Sequence, residues 1–200
     1  MSAFIDFYFD FASPYCYVGS KLIEEIAERH GRTVIWHPMV LGAAFKAVGG
    51  APLPTLPLRH DYVERDVTRL AKFYGLPYQH PKQYPIPTQH AAAAFLWGQD
   101  RDPERAKAFA AQVFQAYFVE GRNIAELDVV LDLIESFGLD RSAAHEALNG
   151  APVKERLKAE TELAIARGVF SAPFFIVDGE PFWGYSRLPI LEKWLADGPF

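Results

Sequence analysis

Phe9-Asp10-Phe11-Ala12-Ser13-Pro14-Tyr15-Cys16-Tyr17 joins an aromatic strand to a helix within a few residues. Upstream, Phe4, Asp6, Tyr8 and Asp10 alternate with Ala3, Ile5, Phe7 and Phe9, a period-two pattern in β-favouring residue types. Downstream, Ser13 stands where an N-cap belongs and Pro14 fits the first helical position. Val18, Leu22, Ile23, Ile26 and Ala27 then recur at helical spacing. Ser13 is thus expected at the positive end of a helix dipole, beside free backbone N–H groups that stabilise an anion such as a thiolate.

The other end of the chain has the same clarity. Ser171-Ala172-Pro173 precedes the apolar run Phe174-Phe175-Ile176-Val177, and Asp178-Gly179 leads into Glu180-Pro181-Phe182-Trp183. Asp-Gly between two such runs predicts a two-residue hairpin. A helix from about Arg187 follows, carrying Leu188, Leu191, Trp194 and Leu195 on one face, with Ser186 as its expected cap. Arg32 to His37 predicts the second strand. Strand-helix-strand first and hairpin-helix last is the element order of a thioredoxin-like α/β fold, with βαβ and ββα halves and Pro173 where that fold holds a cis bond. The expected domains are 1–57 with 169–200 for the thioredoxin-like part and 58–168 for an all-α helical insertion.

Periodicity between the halves is helical. Met39 to Leu58 is rich in Gly and Pro and predicts a loop. Tyr62, Val63, Val67, Leu70, Ala71 and Tyr74 predict one helical face, and a Pro-rich loop runs from Pro77 to Pro87. Gln89 to Trp97 reads as an Ala-rich helix, and Ala106 to Phe118 as one with a wide apolar stripe. Leu127 to Ile134 makes another, closed by Gly138. Asp140 caps Arg141 to Leu148, and Val153 to Ile165 line the last.

The chain has 200 residues, 50% of them hydrophobic, enough for a substantial core. A formal charge of −5 without a basic run argues against nucleic acid as a partner. The first apolar run carries Asp6 and Asp10 and lacks a basic n-region, so it reads as a strand rather than a signal peptide. No apolar stretch reaches the length of a membrane span. One cysteine, Cys16, excludes an internal disulfide framework and fits a reducing cytoplasm. The six histidines show no metal-ligand spacing, so no metal site is expected. Asp6 and Asp10 read as solvated or capping groups, and Asp66 with Arg69 as a surface pair.

Ser13 has no adjacent base and no nucleophile-elbow glycines, which argues against covalent catalysis by its hydroxyl. Its better use is donation to a bound sulfur. A charge-assisted hydrogen bond contributes about 1.5 to 3 kcal/mol, so with the helix dipole it lowers a thiol pKa near ~8.5 by roughly one to two units. Ser13-Pro14-Tyr15-Cys16 also has Cys-x-x-Cys spacing with serine in place of the first cysteine. Cys16 therefore reads as a site-adjacent thiol, buried on the first helical turn or free to form a mixed disulfide.

The chain resembles the branch of the DsbA-like thioredoxin superfamily that contains 2-hydroxychromene-2-carboxylate isomerase and kappa-class glutathione transferase. The resemblance rests on Asp6 to Phe11 with Ser13-Pro14-Tyr15, Pro38 with Leu41-Gly42 and Phe45-Lys46, Gly49 before a Pro-rich loop, Asp66 with Arg69, Ala172-Pro173, Gly184 and Arg187-Leu188. It implies a glutathione-dependent cis–trans isomerase acting on an aromatic 2-oxo acid, with Ser13 catalytic and also holding the glutathione sulfur. It also implies Ala172 and Pro173 at the cysteinyl part, Arg59 nearby, Tyr185 and Ser186 at the γ-glutamyl end, and a homodimer. Here Tyr185-Ser186 replaces a usual Ser-Asp, and Gly50 a usual asparagine. Alternatives on the same residues are a kappa-like transferase, a monothiol redox protein using Cys16, and a thioredoxin-fold module that binds a thiol ligand or peptide without turnover.

Overall fold

The computed structural model describes residues 3–200. Strand β1 (Phe4–Phe9) runs into helix α1 (Pro14–Arg29) and on to β2 (Thr33–Pro38). Near the other end β3 (Phe174–Val177) and β4 (Glu180–Trp183) form the expected hairpin. Asp178 and Gly179 both have positive φ, 51° and 89°, as a two-residue turn of this hand requires. The strands make one sheet in the order β2-β1-β3-β4, parallel between β1 and β2 and antiparallel elsewhere. This is the thioredoxin-like arrangement.

Between the halves lie α2 (Leu41–Val48), a short 3₁₀ turn (Leu53–Thr55), α3 (His60–Phe73), α4 (Gln89–Gln99), α5 (Pro103–Phe118), α6 (Leu127–Ser136), α7 (Arg141–Asn149) and α8 (Ala151–Ala166). A second 3₁₀ turn (Tyr185–Arg187) leads into α9 (Leu188–Asp197). The stretch expected as a loop after Met39 therefore contains a helix. Glycines at 42, 49 and 50 masked it, but Gly49 is its left-handed C-cap at φ 71°, and Leu41, Ala43, Ala44, Lys46 and Ala47 before that cap are good helix formers that outweigh Gly42. Ser186 is not the cap of α9: it belongs to the 3₁₀ turn, and Arg187 occupies the cap position without a side-chain bond.

The Ile5, Phe7 and Phe9 face of β1 is the centre of the core. Phe7 stacks on Phe175 at 5.1 Å and meets Trp36 edge-on at 5.0 Å, while Phe9 meets Phe95 of α4 at 5.5 Å. One buried cluster thus joins the sheet to α4 and α5, so residues from both expected domains share a core. Among the described residues no helix is long and apolar enough to cross a membrane.

Candidate active site

Ser13 caps α1 as its position predicts. Its φ and ψ are −90° and 113°, its Oγ accepts the Cys16 N–H at 3.2 Å, and Pro14 follows at the first helical position. The hydroxyl is 3.5 Å from the carbonyl oxygen of Ala172, and the Ala172–Pro173 bond is cis. Strand pairing in β3 begins only at Phe174, so the backbone of Ala172 lies beyond the ladder. The two ends of the chain therefore meet at one point.

They meet at the wall of a cleft of about 500 Å³ lined largely by apolar groups, including Leu41, Phe45, Tyr84 and Trp183. Ser13, Tyr15 and Ala172 line it as well. Cys16 does not. Its thiol is fully buried, and burial pushes it up to about 12 against the opposing bond to Ser13, so it stays neutral.

Asp10 is a cleft residue that local pattern did not identify. It is buried rather than solvated. Its oxygens accept from the Ala12 N–H, the Leu41 N–H and the Thr88 hydroxyl, each at 2.8 Å. The capping expectation is met at α2, whose first N–H it takes. Burial pushes its carboxyl up, and the three donors act against that shift. Thr88 precedes α4 and Leu41 begins α2, so partners from distant parts of the chain converge on it; only the strand end at Asp10 hinted at this.

Asp66 also does more than pair with Arg69, which lies 3.5 Å away. Its other oxygen accepts the Tyr15 hydroxyl at 3.0 Å, tying α3 to the first turn of α1. Tyr15 in turn stacks on Tyr185 at 5.6 Å with the rings nearly parallel. Tyr185 is half-buried and Ser186 exposed, and both lie outside the cleft lining. Arg59 is exposed at the start of α3 and is also outside it. Among the described residues no group of three His, Cys, Asp or Glu side chains is placed to hold a metal ion.

The arrangement offers a weakly engaged hydroxyl and a helix N-terminus to an anionic sulfur, an unpaired backbone edge beside them, and an apolar seat for a ring. A family model described as DSBA-like thioredoxin domain matches residues 4–196. The chain is similar to 2-hydroxychromene-2-carboxylate isomerase of Pseudomonas putida, at 32% identity over 94% of this chain and 92% of that protein. It is also similar to glutathione S-transferase kappa 2 of Caenorhabditis elegans, at 25% identity over 98% of this chain and 92% of that one. A solved 2-hydroxychromene-2-carboxylate isomerase structure superposes with a TM-score of 0.88 at 30% identity, covering 96% of this chain and 94% of that chain. The chain belongs to the DSBA-like thioredoxin domain family, in the branch of the 2-hydroxychromene-2-carboxylate isomerases and kappa-class glutathione transferases.

Proposed function

We propose that the protein is a glutathione-dependent isomerase that interconverts 2-hydroxychromene-2-carboxylate and trans-o-hydroxybenzylidenepyruvate, or a related aromatic 2-oxo acid. The observation that carries this reading is the Ser13 hydroxyl, whose proton is held only against a carbonyl at 3.5 Å. A contact of that length is weak, so the proton turns toward an anionic sulfur with little loss. The α1 dipole favours the same charge.

The residues fit glutathione. Ser13 would hold the sulfur, and the unpaired edge at Ala172, next to Pro173, would take the cysteinyl backbone. Tyr185, Ser186 and Arg59 would face its more distant groups. Bound glutathione supplies a nucleophile that adds reversibly to a conjugated double bond, which turns while that bond is single. The chain's own part is to keep the sulfur ionised and to seat the aromatic ring between Leu41, Phe45 and Trp183, away from water. A transferase shares the first half of this chemistry. The redox alternative loses support because Cys16 is buried and neutral. Homodimerisation, implied by the resemblance, and a cytoplasmic location, which a single cysteine fits, are part of the same proposal.

Ring opening of 2-hydroxychromene-2-carboxylate, followed by absorbance with and without glutathione, tests the reading. Turnover is expected only with glutathione, and Ser13→Ala is expected to lower it about a hundredfold, the equivalent of one charge-assisted hydrogen bond. No turnover with glutathione, or equal turnover without it, would sink the isomerase reading, and undiminished turnover in Ser13→Ala would remove Ser13 from it.

A further inference from the structure

A second cavity, of about 510 Å³, shares Val40 and Gln89 with the cleft but none of the residues assigned above to glutathione or to the ring. It lies among α2, α4, α7 and α8, and its volume falls in the range of small-molecule sites. Val40, Ala43, Ala93, Leu148, Leu157 and Ile165 give it an apolar floor drawn from all four helices.

The charges at its mouth are Lys154, Lys158 and Glu162, all exposed and all on α8. Lys158 has Glu162 one turn on, 3.8 Å away. Lys154 forms no ion pair among the described residues; its ammonium donates to the Asn149 carbonyl at 2.9 Å, at the end of α7. An ammonium has three donors, so two remain. Two lysines against one glutamate leave the mouth with one surplus positive charge beside an apolar floor.

The less exposed polar groups of the lining are engaged with the protein itself. The Thr161 hydroxyl accepts the Val40 N–H at 3.1 Å and donates to the Leu157 carbonyl at 2.8 Å. His90 spends Nδ1 on the Ala125 carbonyl at 3.1 Å. The floor therefore suits hydrocarbon, and the lysine at the edge suits a single carboxylate, whose bond to an ammonium is charge-assisted.

We propose that this cavity is a second ligand site, for a small monocarboxylate with an apolar body, the hydrocarbon lying on the floor and the carboxylate meeting Lys154. The site goes beyond the isomerase reading and does not depend on it.

The probe is 2-naphthoate, titrated by calorimetry at neutral pH without glutathione. Saturable binding is expected with wild type. Lys154→Gln, which removes the charge, is expected to weaken it about tenfold, the loss of one charge-assisted contact. Ala43→Trp places a ring in the recess from an exposed position of α2 and is expected to abolish it. Neither position lines the cleft, so ligand held there would be unaffected by both changes. The uncharged 2-naphthalenemethanol is expected to bind wild type about tenfold more weakly than 2-naphthoate. Absence of binding by wild type, binding of 2-naphthoate that is unchanged in either variant, or equal affinity for the alcohol overturns the proposal. Lys154 is exposed, so its variant keeps the test readable should Ala43→Trp not fold. No readout uses turnover, so failure of the isomerase reading and failure of this site are distinct.

Discussion

The carboxylate of Asp10 accepts the Thr88 hydroxyl at 2.8 Å across 78 residues of chain. Its other oxygen takes the Leu41 N–H at the same distance. One acid therefore fixes the end of β1, the start of α2 and the start of α4 around the cleft.

Thr88→Val, which keeps the shape and removes the donor, is expected to destabilise the fold by about 1.5 to 3 kcal/mol, the range for hydrogen bonds to charged groups. For a chain of this size the melting temperature should fall by roughly 3 to 12 °C. Thermal unfolding followed by circular dichroism checks it, and an unchanged Tm would mean that the Asp10 bond contributes nothing.

Asp6 gives the stability a pH dependence. Its carboxyl is held below its ordinary 3.8, first by the hydrogen bond from His37 at 2.8 Å, with burial opposing and Arg167 assisting. The native state then releases the proton at lower pH than the unfolded chain does, so stability rises with pH in that window. The contribution is complete above 3.8 and is lost as pH falls through the native value. Asp6→Asn should therefore melt below wild type near neutrality, and the gap should close as pH is lowered through and below 3.8. A gap independent of pH would exclude this linkage.

Cys16 should be inert in the folded protein. With the thiol pushed up to about 12, Ellman's reagent at mildly alkaline pH is expected to react at least about a hundredfold slower than in denaturant. Insulin reduction by dithiothreitol should likewise run at its uncatalysed rate. Ser13→Cys, which restores the paired thiol spacing, is the variant expected to accelerate it, and acceleration by wild type would reinstate the redox alternative.

Glutathione affinity should respond to two surface changes. A side-chain carbon at Gly50 would meet the Phe45 ring at 3.5 Å, an ordinary contact, so Gly50→Asn fits. Ser186→Asp puts a carboxylate just before α9, where the helix start tolerates negative charge. Each is expected to tighten binding by on the order of 1 kcal/mol, together roughly thirtyfold in Kd. Calorimetry with both variants that finds equal or weaker binding would remove these positions from the glutathione contacts.

Ser13 with Pro14, the Asp178-Gly179 turn and Asp140 before α7 were legible because caps and tight turns are local rules that neighbouring residues satisfy. Asp10 was not. Alternation marks Asp10 only as one face of a strand, while its partners come from residues 41 and 88. The helix α2 was hidden by one glycine inside it, Gly42, and by two after it, of which Gly49 is its stop.

Tyr15 binds Asp66 of α3 with its hydroxyl and stacks its ring on Tyr185, so one side chain of the turn carrying Ser13 anchors a cleft wall from within the fold. Val63 of α3 and Leu53 of the preceding 3₁₀ turn also line the cleft. On the proposed isomerase reading, substitutions there are expected to retune which ring system is accepted while the Ser13 end stays in register. That reading gives the molecule a fixed chemical head with an exchangeable selectivity panel, and relatives acting on different compounds are expected to diverge first along residues 53 to 63.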